Sequence, residues 1–85
     1  MKRPHMSHLK TVTNNLAAIR NRVGLHQWQL ATDVGTVQKS ICAYEQGSLM
    51  PRLDTALRIA HRLGVTVDEI WSLTEMGSSG VVLSP

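Results

Sequence analysis

Four histidines, one cysteine and six carboxylates are the side chains of this 85-residue chain whose types lend themselves to chemistry. Of His5, His8, His26 and His61, only the first two stand close together, in a terminus expected to fray. Metal ligands need ordered elements and partners that fix their orientation, so neither a metal site nor a cofactor is expected. Cys42 stands alone, which excludes an intrachain disulfide and a cysteine-based zinc site; it is read as a small inert side chain. Asp68 and Glu69 are neighbours that serve a helix N-terminus, and no nucleophile lies beside a base, so the chain is not read as an enzyme. What remains is a polar row, Gln38, Lys39 and Gln46 with Cys42 and Ala43 between them, at spacings that share one helix face.

Such a row must be carried by something folded. At roughly 100–200 residues per domain, the length allows one domain. A 42% hydrophobic share with 18% charged residues is globular, and with only Trp28, Tyr44 and Trp71 as aromatics the core must be aliphatic. A chain this small buries about 60–65% of its unfolded surface, so a partner subunit would help it. The net charge is +3, unevenly spread. All nine Lys and Arg fall between residues 2 and 62 against three acids, Asp33, Glu45 and Asp54, leaving +6; from Leu63 onward three acids leave −3. A basic body of this kind suits a polyanionic partner. The single cysteine, the lack of an apolar run near 18 residues and the lack of a signal-type stretch lead us to expect a cytoplasmic protein.

Residues 1–6 read as a flexible basic N-terminus, 7–74 as the folded domain and 75–85 as a mobile Gly- and Ser-rich tail. Leu9, Val12, Leu16, Ile19 and Val23 follow a helical period and end at Gly24, predicting a first helix that starts between Ser7 and Thr13. A second is predicted over Gln27–Val34, with Leu30, Ala31 and Val34 inward and Gly35 as the stop. Thr36 is the expected cap of a third, Val37–Gln46, with Val37, Ile41 and Tyr44 on one face and Gly47 after it. Pro51 opens a fourth through Leu63, turning Leu53, Ala56, Leu57, Ala60 and Leu63 inward. Thr66-Val67-Asp68-Glu69 is a capping box that starts a fifth, followed by Ile70 and Leu73. The fold class is therefore all-α, a compact bundle of five short helices, and no sheet is expected apart from the Val81-Val82-Leu83 fragment, which would add to a dimer contact.

Gly35 and Thr36 alone separate the second and third helices, so the two must meet at a steep angle, as in a helix-turn-helix. Ala31 leaves room for the third helix, and Leu30, Val34, Ile41 and Tyr44 form the shared core. The run from Gln27 to Gly47, with Gln27, Leu30-Ala31, Val34-Gly35, Ile41, Tyr44-Glu45 and Gly47 as they stand here, resembles the helix-turn-helix of lambdoid phage repressors and Cro proteins, the xenobiotic-response-element-type family. The resemblance extends upstream through Leu16, Ile19, Arg20 and Gly24-Leu25. Downstream it takes in Pro51, Leu53, Ile59-Ala60, Leu63-Gly64-Val65 and Asp68, covering about residues 13–72.

The resemblance implies that the third helix enters the DNA major groove, with Val37, Gln38, Lys39, Cys42 and Ala43 reading bases. Gln38 carries the donor and acceptor that match adenine N6 and N7, and Lys39 can donate to guanine. Arg20, Gln27, Ser40, Gln46 and Arg52 are the implied phosphate contacts, with Gln27 also bracing Gln38; His26, a departure from the family pattern, is read as a further phosphate contact because an imidazole can carry a positive charge. Arg20 and Glu45 match a family ion pair, read either as purely structural or as an ion pair that also approaches a phosphate. Arg22, Arg58 and Arg62 are read as solubilising. Leu53, Val65 and Trp71 are the implied dimer contact. Three departures stand out: His26 replaces a good N-cap, Arg52 replaces a capping Ser or Thr, and Trp28 occupies a position that is usually exposed. The function implied is a sequence-specific DNA-binding transcriptional regulator of bacterial or phage type, a repressor acting as a homodimer on a pseudo-palindromic operator. The alternative is an antitoxin-type module that neutralises a protein partner and binds DNA secondarily.

Overall fold

The computed structural model describes residues 10–75, and side chains over 12–73. In chain order the elements are β1 (Lys10–Asn14), α1 (Leu16–Val23), α2 (Gln27–Val34), α3 (Gln38–Gln46), α4 (Leu53–Leu63), α5 (Val67–Ile70) and β2 (Trp71–Glu75). Each helix sends one fully buried aliphatic side chain to a common centre: Leu16, Leu30, Ile41, Ile59 and Ile70. Tyr44 and Trp71 close this core, and Leu30, Val34, Ile41 and Tyr44 are buried together as the pattern predicts. The apolar spacing and the glycine stops therefore located five helices in the right order; α2 begins and ends where it was expected, while α3 begins at Gln38 and α4 at Leu53, slightly later than expected.

The first helix differs. It starts at Leu16, and Lys10–Asn14 is instead a strand, antiparallel to β2, with Val12 opposite Leu73 and Thr13 opposite Ser72. The expectation of no sheet is thereby corrected by a two-stranded one. Three consecutive β-branched residues, Thr11, Val12 and Thr13, favour the extended chain. Thr13 Oγ1 also reaches Ser72 Oγ at 2.8 Å and the Ser72 carbonyl at 3.2 Å. Asn14 then ends the strand: its Oδ1 accepts from the Leu16 N–H at 3.1 Å, and its Nδ2 donates to the Tyr44 carbonyl at 2.7 Å. The spacing of Val12 to Leu16 matched a helix face by coincidence.

Three smaller expectations are also corrected. The N-cap of α3 is Val37, with no side-chain cap: its carbonyl accepts from the Ser40 and Ile41 N–H groups at 3.0 and 3.3 Å, while the Thr36 N–H finishes α2 through the Ala31 carbonyl at 2.9 Å. That closure needs Gly35 at φ 80°, a left-handed conformation with no penalty for glycine. In α4 the buried set is Ala56, Ile59, Ala60 and Leu63, while Leu53 is 72% and Leu57 52% exposed. Leu53 is the first residue of α4, a turn before its first buried residue Ala56, and Leu57 lies about 100° around the helix from Ala56. Leu73 is exposed as well, since α5 is a single turn and the chain is extended from Trp71 onward. The expected tail strand, Val81-Val82-Leu83, lies outside the described residues, as do Leu9, His5 and His8. Among the described residues no helix is long and apolar enough to cross a membrane.

The capping box is present as predicted. Thr66 Oγ1 accepts from the Glu69 N–H at 3.3 Å, and Glu69 Oε2 accepts from the Thr66 N–H at 3.0 Å. Those hydrogen bonds from the Thr66 backbone and hydroxyl, with Arg22 nearby, hold the Glu69 carboxyl below its ordinary pKa. A carboxylate whose folded pKa is depressed stabilises the fold at neutral pH and loses that contribution as the pH falls through its folded value. Glu69→Gln is therefore expected to melt below the parent protein at neutral pH. The gap in thermal midpoint should close once the pH is well below the carboxylate range of about 4; a gap independent of pH would show that the charge plays no part in the cap.

Candidate nucleic-acid interface

The turn between α2 and α3 leaves the outer face of α3 uncovered by any other described element. Val37 is 61% exposed, Gln38, Lys39 and Gln46 are exposed, and Ser40, Cys42 and Ala43 are half-buried. Gln27, from the first turn of α2, joins Gln38, Lys39, Cys42, Ala43 and Gln46 around one shallow, open concavity. Four of the five residues expected to read bases, Gln38, Lys39, Cys42 and Ala43, thus share one surface with Gln27, and Val37 lies outside its lining.

Beneath this surface runs a chain of polar contacts that ties three helices together. Arg20 on α1 makes a bidentate pair with Glu45 on α3, Nε to Oε2 at 2.5 Å and Nη2 to Oε1 at 3.2 Å. The side chains are only 11% and 8% exposed. Arg20 Nη1 donates to the Leu25 carbonyl at 2.7 Å and to Asn21 Oδ1 at 3.2 Å. The guanidinium thus spends four of its five N–H donors inside the domain. Gln27 Nε2 donates to Glu45 Oε1 at 2.9 Å, and Gln38 Nε2 donates to Gln27 Oε1 at 3.3 Å. The ion pair is the one the family resemblance implied. The Gln27–Glu45 bond was not legible in the sequence, because it depends on how α2 and α3 cross.

At the start of α2 the poor cap His26 is compensated by Gln29, whose Oε1 accepts from the His26 N–H at 2.8 Å. This contact was missed; a Gln three residues past the cap position is its signature. The exposed His26 ring stacks on Trp28, with centroids 6.3 Å apart and planes 11° from parallel. Arg52, before α4, has an 85% exposed side chain and lies 3.6 Å from Asp54, leaving it accessible. Arg62, read as solubilising, instead pairs with Asp33 at 2.6 Å and so ties α4 to α2. The residues expected at a dimer contact fall in different environments: Leu53 is exposed, Val65 is half-buried against the core, and Trp71 is 6% exposed within it.

An α2–α3 pair joined by three residues and bearing an open polar face, inside a five-helix body, is the architecture of a helix-turn-helix domain. The chain belongs to the helix-turn-helix family of the Cro/C1 type, which its residues 16–70 match. By class it is a DNA-binding regulator of transcription. Among the proteins it resembles is an uncharacterised HTH-type transcriptional regulator of Methanothermobacter thermautotrophicus, 40% identical over 60 residues, which span 69% of this chain and 87% of that protein. It is also similar to YgzD of Bacillus subtilis, again an uncharacterised HTH-type transcriptional regulator, 29% identical over 62 residues, 73% of this chain and 94% of the relative.

Proposed function

We propose that the protein is a sequence-specific repressor that binds a pseudo-palindromic operator as a homodimer, with α3 in the major groove. The observation that carries this reading is the open face of α3, on which Gln38 is held by Gln27 with its remaining amide groups outward. A lone α3 meets too few bases for strong specificity, and two-fold pairing doubles the contacts. The exposed Leu53 and the half-buried Val65 offer apolar area for that pairing; Trp71, being buried, adds little area of its own. Val37, Gln38, Lys39, Cys42 and Ala43 are assigned to bases. Arg52, His26, Gln27, Ser40 and Gln46 are assigned to phosphates, while the enclosed Arg20 supports them from within. Repression follows from occupancy, because a dimer on a promoter excludes other proteins from that stretch.

Selection of bound duplexes from a random-sequence pool, followed by affinity measurements at several salt concentrations, tests the reading. The logarithm of affinity is expected to fall against the logarithm of salt with a slope near −0.9 per phosphate neutralised. Gln38→Ala should cost about 1–3 kcal/mol at one base pair and relax the preference there. Arg52→Ala should weaken binding to every sequence alike and make the salt slope shallower by about one. A flat salt response, or the same behaviour from both variants, would overturn the assignment.

A further inference from the structure

We infer that Glu45, which lies beneath the DNA-facing surface and touches no base, sets the direction of the Gln38 amide and thereby which base edge α3 accepts. The inference rests on the reading of α3 as the base-reading helix. Glu45 is paired with Arg20 and almost wholly buried, and an ionised carboxylate can only accept hydrogen bonds. Whatever polar group Gln27 turns toward Glu45 Oε1 must therefore be its N–H, as the 2.9 Å contact has it. The two ends of a primary amide point apart, so Gln27 Oε1 is left facing Gln38 and must receive an N–H in its turn, at 3.3 Å. The reversed Gln38 amide would set one carbonyl oxygen against another.

Three side chains thus pass on one polarity: acceptor at Glu45, donor then acceptor at Gln27, donor then acceptor at Gln38. With one N–H spent on Gln27, Gln38 keeps one N–H and its carbonyl oxygen for the groove, in an order it cannot reverse. That donor–acceptor pair matches the N7 acceptor and N6 donor of adenine in one orientation. A free glutamine amide can rotate to present either order, and so discriminates less. Glu45 is a positioning residue that acts through Gln27, and the bidentate contact with Arg20 is what holds its carboxylate in place.

Glu45→Gln is the direct test, because its amide can donate or accept and so leaves both Gln27 and Gln38 free to turn. Affinities are measured for a set of duplexes that carry each of the four base pairs in turn at every position of the selected site, with the variant verified as folded by circular dichroism. At the position where Gln38→Ala abolishes the preference, Glu45→Gln is expected to reduce it by about fivefold or more, the lower range of what one bidentate contact discriminates. Preferences elsewhere, including those owed to Lys39, should change by less than about twofold, whereas a loosened scaffold would weaken all positions together. In a Gln38→Ala background the Glu45 substitution should have no further effect at that position. Gln27→Met is the second variant: it leaves the Arg20–Glu45 pair in place, cuts the relay in the middle, and should lose the same preference. If Gln38→Ala erases one preference while Glu45→Gln or Gln27→Met retains it, the relay is wrong and the function stands. If Gln38→Ala changes no preference, the base-reading assignment fails first and the relay with it.

Discussion

Replacing Ile41 with alanine is expected to lower the stability of the domain by about 2–5 kcal/mol, read as a shift of the urea midpoint. Ile41 is one of the five side chains with no exposure at all, and it backs α3 directly against the other four. The loss combines the transfer free energy of the missing carbons with the cavity left where neighbours on four other helices cannot all move in. A domain of this size has about 4–13 kcal/mol to lose, so the substitution removes a large share. The DNA-facing row stays on the surface, so base preference in the remaining folded fraction should be unchanged while apparent affinity drops with that fraction. An unmoved midpoint would show that the common centre of the five helices is not what holds them.

Arg20→Ala should cost a comparable amount, about 3–5 kcal/mol, because it strips a nearly enclosed carboxylate of its counter-charge. Glu45 would keep only the Gln27 amide, and the Leu25 carbonyl would lose its 2.7 Å donor. Arg20→Lys should recover only part of the loss, since an ammonium cannot make the bidentate contact and still reach Leu25. The double variant Arg20→Ala/Glu45→Ala should be less damaged than the two single losses added together, because no lone charge is left inside. Denaturant midpoints for the parent, Arg20→Ala, Glu45→Ala and the double variant, with Arg20→Lys beside them, check this; strict additivity would reduce the pair to two unrelated contacts.

The five helices could be read from the sequence because their signals are local. Gly24, Gly35, Gly47 and Gly64 all stand just past a helix end in the left-handed conformation, and the box at Thr66–Glu69 announces α5 within four residues. β1 could not, since its partner Ser72 is 59 residues from Thr13 and no window of the chain contains both. For the same reason Leu53 and Leu57 were assigned inward: periodicity gives the face of a helix but not where along its length burial begins. At the interface, the wheel of α3 placed Ile41 and Tyr44 inward and Gln38, Lys39 and Gln46 outward as found, but it also turned Val37 inward, whereas Val37 precedes the helix as its N-cap and is 61% exposed. The resemblance supplied the Arg20–Glu45 pair. The bond from Gln27 to Glu45 depends on how two helices cross, which residue spacing does not encode, and it is the one that gives the polar surface a direction.

The clasp of β1 and β2 brings the two ends of the described chain side by side. Lys10 pairs with Glu75, and adjacent strands are about 5 Å apart. The domain therefore behaves as a cassette with a single doorway: whatever is joined before Lys10 and whatever is joined after Glu75 leave from the same point. Such a unit can be spliced into a loop of a host protein without prising the host's strands or helices apart. It also admits rewiring, with the old ends fused and new ones opened at the exposed Ser48-Leu49-Met50 connection between α3 and α4, leaving all five helices and the α2–α3 turn unbroken.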